Sequence, residues 1–338
     1  MSVSVNKISD VSAAKRTEPV VMGIINVNNN SFFADSRCAD ISSFANQFEQ
    51  MSQQGAGIID IGACSTRPGS TPVSIEQEWE YLKEPLMHIR KIRELGRIQQ
   101  NSSIQQDSSM EELKCSSGKI SQGASGANPQ IISVMVPQIS IDTFRSEIVR
   151  RAYDIIGEFI VNDISAGEDD PQMLKTVGEL GLEYIAMHKR GTPDTMQQMC
   201  DYPRGVVSEV AEYFTTFAER AAAFGIKSYV IDPGFGFAKT IEQNYELFMG
   251  MPQLMSIVKG SLSNNSSQHR LLVGISRKSM IYKPLGITPE ESLTATAALN
   301  LQALMLGADI LRVHDVKEAV ECVKLYKMLS KYCNSLIM

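Results

Sequence analysis

Eight short apolar runs, each closing on polar or charged residues, constrain this 338-residue chain more than any other feature. They are PVVMGIINV (19–27), GIIDIG (57–62), QISIDT (138–143), FIVNDIS (159–165), EYIAMH (183–188), SYVIDPG (228–234), LLVGIS (271–276) and ILRVHD (310–315). None alternates strictly between apolar and polar. A strand buried on both faces reads this way, as in a parallel sheet.

The stretches between them have helical periodicity: Phe44 to Gln54, Ile75 to Leu95, Ser146 to Ile156, Met173 to Leu180, Val206 to Phe224, Gln243 to Val258, Glu290 to Leu306 and Lys317 to Lys331. Gly55, Gly96, Gly181, Gly225 and Gly307 stand where helix C-caps belong. Asp170-Pro171 and Thr288-Pro289 mark helix starts. Strand and helix alternate eight times, so the fold class is α/β, and this length favours a (β/α)8 TIM barrel over a doubly wound sheet. The chain reads as a loose tail over 1–17 and one domain over 18–335. Residues 98–130, rich in Ser, Gln, Asn and Gly, read as a flexible insertion before the third strand.

Composition narrows the partners. The net charge is -6 and there is no long Lys/Arg run, so nucleic acid and anionic membrane are poor partners. No apolar run approaches the ~20 residues of a membrane span, and the first residues lack the apolar stretch of a signal peptide. The six cysteines form no C-x-x-C pair and read as scattered reduced thiols, with Cys64 read as a small buried hydrophobe. A cytoplasmic enzyme fits this pattern.

In an α/β barrel the chemistry gathers where strands end. Here the ends carry Asn26; Ser65-Thr66-Arg67-Pro68-Gly69; Asp142-Thr143; Asn162-Asp163 and Ser165; Met187-His188-Lys189-Arg190; Asp232-Pro233-Gly234; Ser276-Arg277-Lys278-Ser279; and Arg312, His314 and Asp315. A helix cap explains one or two such residues. All eight ends together point to a shared polar pocket. Asp163 and Asp315 read equally as local hydrogen-bond anchors, His188 as a satisfied core histidine, and His88 and His269 as surface residues. Asp142, Asn162 and Asp232 supply the acceptors and the amide that an aminopyrimidinone ring requires. Arg312, His314 and Asn26 are the kind of groups that hold a diphosphate. No His/Cys/Glu spacing of a tight zinc site is present, and Mg2+ carried in by a diphosphate fits better. Neither a P-loop nor a dinucleotide glycine motif occurs.

These segments resemble, in order, those of dihydropteroate synthases. The resemblance rests on Gly23-Ile24-Ile25-Asn26-Val27 with Ser31-Phe32, then Asp60-Ile61-Gly62 with Ser65-Thr66-Arg67-Pro68-Gly69. It continues through Ser140-Ile141-Asp142-Thr143, Val161-Asn162-Asp163, Met187-His188-Lys189-Arg190-Gly191 and Asp232 to Thr240, then Gly274 to Ser279 and Arg312 to Val316. It covers about Val20 to Val320 apart from 98–130. It implies condensation of a dihydropterin methyl diphosphate with p-aminobenzoate, giving dihydropteroate and diphosphate. It implies pterin binding by Asp142, Asn162, Asp232, Lys278, Met187 and Arg312. Asn26, Arg312 and His314 would hold the diphosphate, with Asn26 on Mg2+. Phe32, Thr66, Pro68, Phe237 and Ser279 would surround p-aminobenzoate. Lys278, Arg312, Asp142 and Arg67 would carry the catalytic work, and a homodimer is expected.

Two departures stand out. The family has Thr-Pro-Asp where this chain has Asn28-Asn29-Asn30, and Glu where it has Cys64. The first removes a proline and a carboxylate from a catalytic loop. Two other readings follow: a pterin-binding protein that has lost turnover, and a folate-dependent methyltransferase of the same barrel superfamily. The latter needs the pterin carboxylates, but neither a diphosphate grip nor the Ser276-Arg277-Lys278-Ser279 segment.

Overall fold

A computed structural model describes residues 18–27, 37–64, 73–114, 136–192, 195–226, 228–261 and 269–335, with backbone alone at 37–40, 97–114, 197, 261 and 333–335. The strands are β1 (Val20–Asn26), β2 (Ile58–Gly62), β3 (Gln138–Asp142), β4 (Ile160–Asp163), β5 (Glu183–Met187), β6 (Tyr229–Asp232), β7 (Arg270–Val273) and β8 (Ile310–Val313). They close into a barrel in chain order, each neighbour parallel. The apolar runs thus fall on the strands as the (β/α)8 reading requires.

Helices surround the barrel: α1 (Arg37–Gln54), α2 (Ile75–Lys114), α3 (Ser146–Ile156), α4 (Met173–Leu180), α5 (Val206–Ala223), α6 (Ile241–Met249), α7 (Met251–Ser261), α8 (Ser279–Leu285), α9 (Leu293–Met305) and α10 (Val316–Ser335). Helix α3 shows why they dock. Ile148, Val149, Ala152 and Ile156 share its buried face, as a 3.6-residue period dictates.

Four details differ from the sequence reading. Helix α2 runs through Gly96 to Lys114 instead of stopping at a glycine cap. Gln, Glu, Met, Leu and Lys in that stretch are good helix formers, and no proline stops them. The rest of the proposed insertion, 115–130, lies outside the described residues, as does the tail 1–17. The segment Gln243–Val258 splits at Gly250, where an added Cβ would run into Val207 of α5 and the Glu246 carbonyl. The seven-residue α8 was too short to show a period. His269, read as a surface residue, is buried with its ring 4.3 Å from that of Tyr229.

Successive residues of a strand face opposite sides, and this alternation builds the site. Outward residues such as Ile59, Ile61, Ile141, Val161 and Ile231 pack into the layer beneath the helices. Inward, Met22, Ile58, Ile160, Ile185, Val230, Leu272 and Ile310 form a separate apolar plug. Each contributes on the order of 1.5–3 kcal/mol through burial. Further along the strands the inward positions turn polar: Asp60, Ser140, Asn162, Asp232 and Arg312. The plug supports a polar crown at the C-terminal mouth.

Candidate active site

Strand register aligns the crown. Asn26 pairs with Gly62, Gly62 with Asp142, and Asp142 with Asn162, a single row across β1 to β4. Across the barrel Met187 pairs with Asp232. Gly62 leaves room at the centre of the row: a Cβ there would lie 3.2 Å from Asp142 Cβ and 3.6 Å from Asn26 Oδ1.

The hub is Asp60, fully buried inside β2. Its Oδ1 accepts from Ser140 Oγ at 2.6 Å. Its Oδ2 accepts from Asn162 Nδ2 at 3.0 Å and from Arg312 Nε at 2.8 Å. Arg312 Nη2 donates to Asp142 Oδ2 at 2.8 Å. One guanidinium therefore joins two carboxylates from different strands, an arrangement that suits its planar fork. Sequence reasoning did not nominate Asp60 or Ser140, although an aspartate in the middle of an apolar strand was a visible signal. Burial pushes Asp142 up to about 7, Asp60 and Glu78 adding to the rise and Arg312 opposing it.

The opposite wall holds Asp232 and Lys278. Asp232 is buried, and its Oδ1 accepts from Gly234 N at 2.9 Å. Burial raises its pKa, opposed first by the charge of Lys278. Burial likewise pushes Lys278 down to about 8, with Asp232 opposing. Lys278 Nζ donates to Phe235 O at 2.6 Å and lies 5.0 Å from the Phe237 ring centroid. Desolvated opposite charges at the mouth of such a barrel are a usual mark of a binding site.

The structure thus brings together Asp142, Asn162, Asp232, Lys278, Met187 and Arg312. It draws Arg312 toward the carboxylates. His314 stands exposed at the end of β8, its Nδ1 3.1 Å from Ser276 Oγ, and Asn26 is half-buried in the row beside Asp142. Phe237 and Ser279 are half-buried at the mouth. Phe32, Thr66, Arg67 and Pro68, with Asn28-Asn29-Asn30, lie outside the described residues. Asp163 and Asp315 are anchors: Asp163 accepts from Ser165 N, Ser165 Oγ, Gly167 N and Tyr184 Oη, and Asp315 pairs with Arg277 through two bonds. His188 is a core histidine, 1% exposed, with Nδ1 3.0 Å from Lys239 Nζ.

Beside the crown sits a second buried ion pair. Glu78 of α2, with no exposed surface, binds Arg145 and accepts from Thr143 Oγ1 at 2.6 Å. Arg145 also donates to Val73 O at 2.6 Å and reaches Cys64 Sγ at 3.7 Å. Burial, with the charge of Glu78, raises the Cys64 pKa well above the usual thiol range, which favours the thiol over the reactive thiolate. Among the described residues no cluster of three His, Cys, Asp or Glu side chains could hold a metal by itself.

Comparison with known proteins settles the family. The family described as pterin binding enzyme matches residues 22–104 and 129–314. Dihydropteroate synthase of Synechocystis sp. is 34% identical over 313 residues, covering 92% of this chain and 89% of the relative. The chain belongs to the dihydropteroate synthase family. These enzymes are transferases of folate biosynthesis. The Yersinia pestis dihydropteroate synthase, solved in complex with a sulfonamide drug, superimposes with a TM-score of 0.71 at 27% identity, covering 93% of this chain and 95% of that one. The Xanthomonas albilineans family member, solved with 4-aminobenzoic acid, gives 0.69 at 26% identity, covering 93% of each chain. No helix among the described residues is long and apolar enough to cross a membrane.

Proposed function

We propose that this chain condenses a 7,8-dihydropterin-6-ylmethyl diphosphate with p-aminobenzoate, giving 7,8-dihydropteroate and diphosphate. One observation carries the reading: two buried carboxylates and a half-buried third, an amide and two cations converge inside the barrel at its mouth. Asp142, Asn162 and Asp232 meet the ring N–H and exocyclic amine of the pterin. Lys278 meets its acceptors. Arg312, held flat by Asp60 and Asp142, covers a ring face, and Met187 packs beneath. Asn26 and His314 hold the diphosphate with Arg312.

The C–O bond to diphosphate breaks, the arylamine nitrogen forms the new C–N bond, and that nitrogen then loses a proton. Positive charge develops on the pterin before the new bond is complete. The carboxylates are already in place, so they stabilise it without reorganising. Phe237 and Ser279, with Phe32, Thr66 and Pro68, receive p-aminobenzoate, and Arg67 takes part in the chemistry.

A Mg2+ ion fits as a co-ligand. The Asn26 amide oxygen is one neutral donor, enough for an ion that keeps its waters and its diphosphate contacts. Bound there, the ion would neutralise the leaving diphosphate. Mixing both substrates with the protein should release diphosphate and form dihydropteroate, and EDTA should suppress both until Mg2+ is restored. Tight pterin binding without diphosphate release would overturn the enzyme reading in favour of a pterin-binding homologue altered at Asn28-Asn29-Asn30. Among the described residues the free thiols of Cys64 and Cys322 support a reducing, cytoplasmic setting.

Helix α10 supports a homodimer. Leu325, Met328, Leu329 and Tyr332 are exposed at i, i+3, i+4 and i+7, one apolar stripe, and exposed Met305 ends the neighbouring α9. Such a stripe marks an interaction surface. Leu325→Lys with Met328→Lys should halve the mass seen by analytical ultracentrifugation. A monomeric wild type, or a variant that stays dimeric, would discard this interface.

A further inference from the structure

The segment after β6 is held by a residue outside the proposed chemistry. Gly234, Gly236 and Ala238 adopt φ of 70°, 84° and 49°, so left-handed residues recur at every second position. The carbonyls of the segment end on named donors. Phe235 O accepts from Lys278, and Ala238 O from Tyr202 Oη at 3.0 Å. Gly234 O and Phe237 O both accept from Lys239 Nζ, each at 3.0 Å. The third neighbour of that nitrogen is His188 Nδ1, also at 3.0 Å.

Lys239 is 4% exposed. Its ammonium has three protons and no acceptor, and it meets three acceptors. With Lys239 protonated, His188 Nδ1 is the acceptor, which puts the ring proton on Nε2. The Tyr202 and Tyr213 rings pack against His188 and hold it in place. Burial pushes Lys239 down to about 7, with Asp232 opposing, so the ammonium is a costly way to tie two carbonyls. A segment with two glycines loses much entropy on ordering, and a covalently attached clamp removes that cost before the ligand arrives.

We propose that Lys239 is a positioning residue for the arylamine half of the site, setting Phe237 through its main-chain carbonyl while Lys278 holds the same segment from the pterin side. The inference rests on the reaction assigned above and extends it to a residue that touches neither substrate. Its signature is selective: the pterin wall loses little, and the p-aminobenzoate wall loosens.

The experiment measures p-aminobenzoate affinity by calorimetry on protein saturated with dihydropterin and diphosphate, and pterin affinity separately. Lys239→Met keeps the length and removes the donors. It should weaken p-aminobenzoate about tenfold or more, as expected when buried acceptors lose their partners, and change pterin affinity less than about twofold. In turnover the same variant should raise the p-aminobenzoate KM more than it lowers kcat. His188→Leu should shift p-aminobenzoate in the same direction, whereas His188→Asn, which keeps an acceptor near Nδ1, should remain close to wild type. This pair decides the matter if Lys239→Met does not fold. Nitrogen NMR of the wild type should show His188 Nδ1 unprotonated. Unchanged p-aminobenzoate affinity, an equal loss for both ligands, His188→Asn behaving like His188→Leu, or a protonated Nδ1 would each overturn the proposal. A wild type that binds both ligands and releases no diphosphate overturns the reaction instead, and the binding comparison still reports on Lys239.

Discussion

Asp60→Asn should damage both folding and ligand binding, and more severely than any other single change in the barrel. The carboxylate accepts three bonds, from Ser140, Asn162 and Arg312. Asparagine keeps one acceptor oxygen and places an NH2 where a second was. That NH2 would face donors. Arg312 would keep Asp142 but lose the partner that fixes its Nε. Breaking a buried ion pair by removing one partner costs about 3–5 kcal/mol, a large share of a domain's stability of about 5–15 kcal/mol. Urea unfolding should show that loss as a lower midpoint at unchanged slope. Pterin affinity should fall as well, because Arg312 and Asn162 lose their common anchor. An unfolding midpoint within error of wild type would show that Asp60 is not the hub its bonds describe.

Asp232→Asn should separate binding from folding. Only Gly234 N donates to this carboxylate among the described residues, and burial raises its pKa. A carboxyl whose pKa is higher folded than unfolded costs stability once pH exceeds the unfolded value. Asparagine removes that cost, so the fold should be as stable as wild type at neutral pH, or more so. Pterin binding should suffer instead. An amide turns one acceptor into a donor that opposes the ring N–H, a loss of about 2–4 kcal/mol for a buried charged hydrogen-bond pair. Calorimetry showing unchanged pterin affinity would take Asp232 out of the site, and a large drop in the unfolding midpoint would reassign it to structure.

The contrast between these two aspartates shows what was legible. Apolar runs on both faces marked the strands because a parallel barrel buries both, and their polar ends marked the mouth. Asp232 stood at such an end and could be nominated. Asp60 stood two residues earlier, among isoleucines, and its importance depends on which strands lie beside it and in what register. The same holds for Arg312. Its chemistry suggested ligand contacts, but not that the closure of β8 on β1 also brings it to Asp60 and Asp142. Lys239 and the Glu78–Arg145 pair depend on contacts between elements far apart in the chain, which no local pattern encodes. Helix α2 shows the converse. Its polar composition suggested a loop after Gly96, while residue-by-residue helix propensity carried the backbone on to Lys114.

The apolar plug has a kinetic consequence. It fills the barrel interior at the N-terminal end, so the polar crown is reached from the C-terminal mouth. On the proposed roles, a pterin held by Asp142, Asn162 and Asp232 would enter first, and an arylamine held at Phe237 would follow it. The joined product would then withdraw through the same mouth, arylamine end first. An arylamine that arrived early would stand in the way of the pterin. Traffic through that mouth, as much as affinity at either wall, would then set the order of events in the proposed cycle.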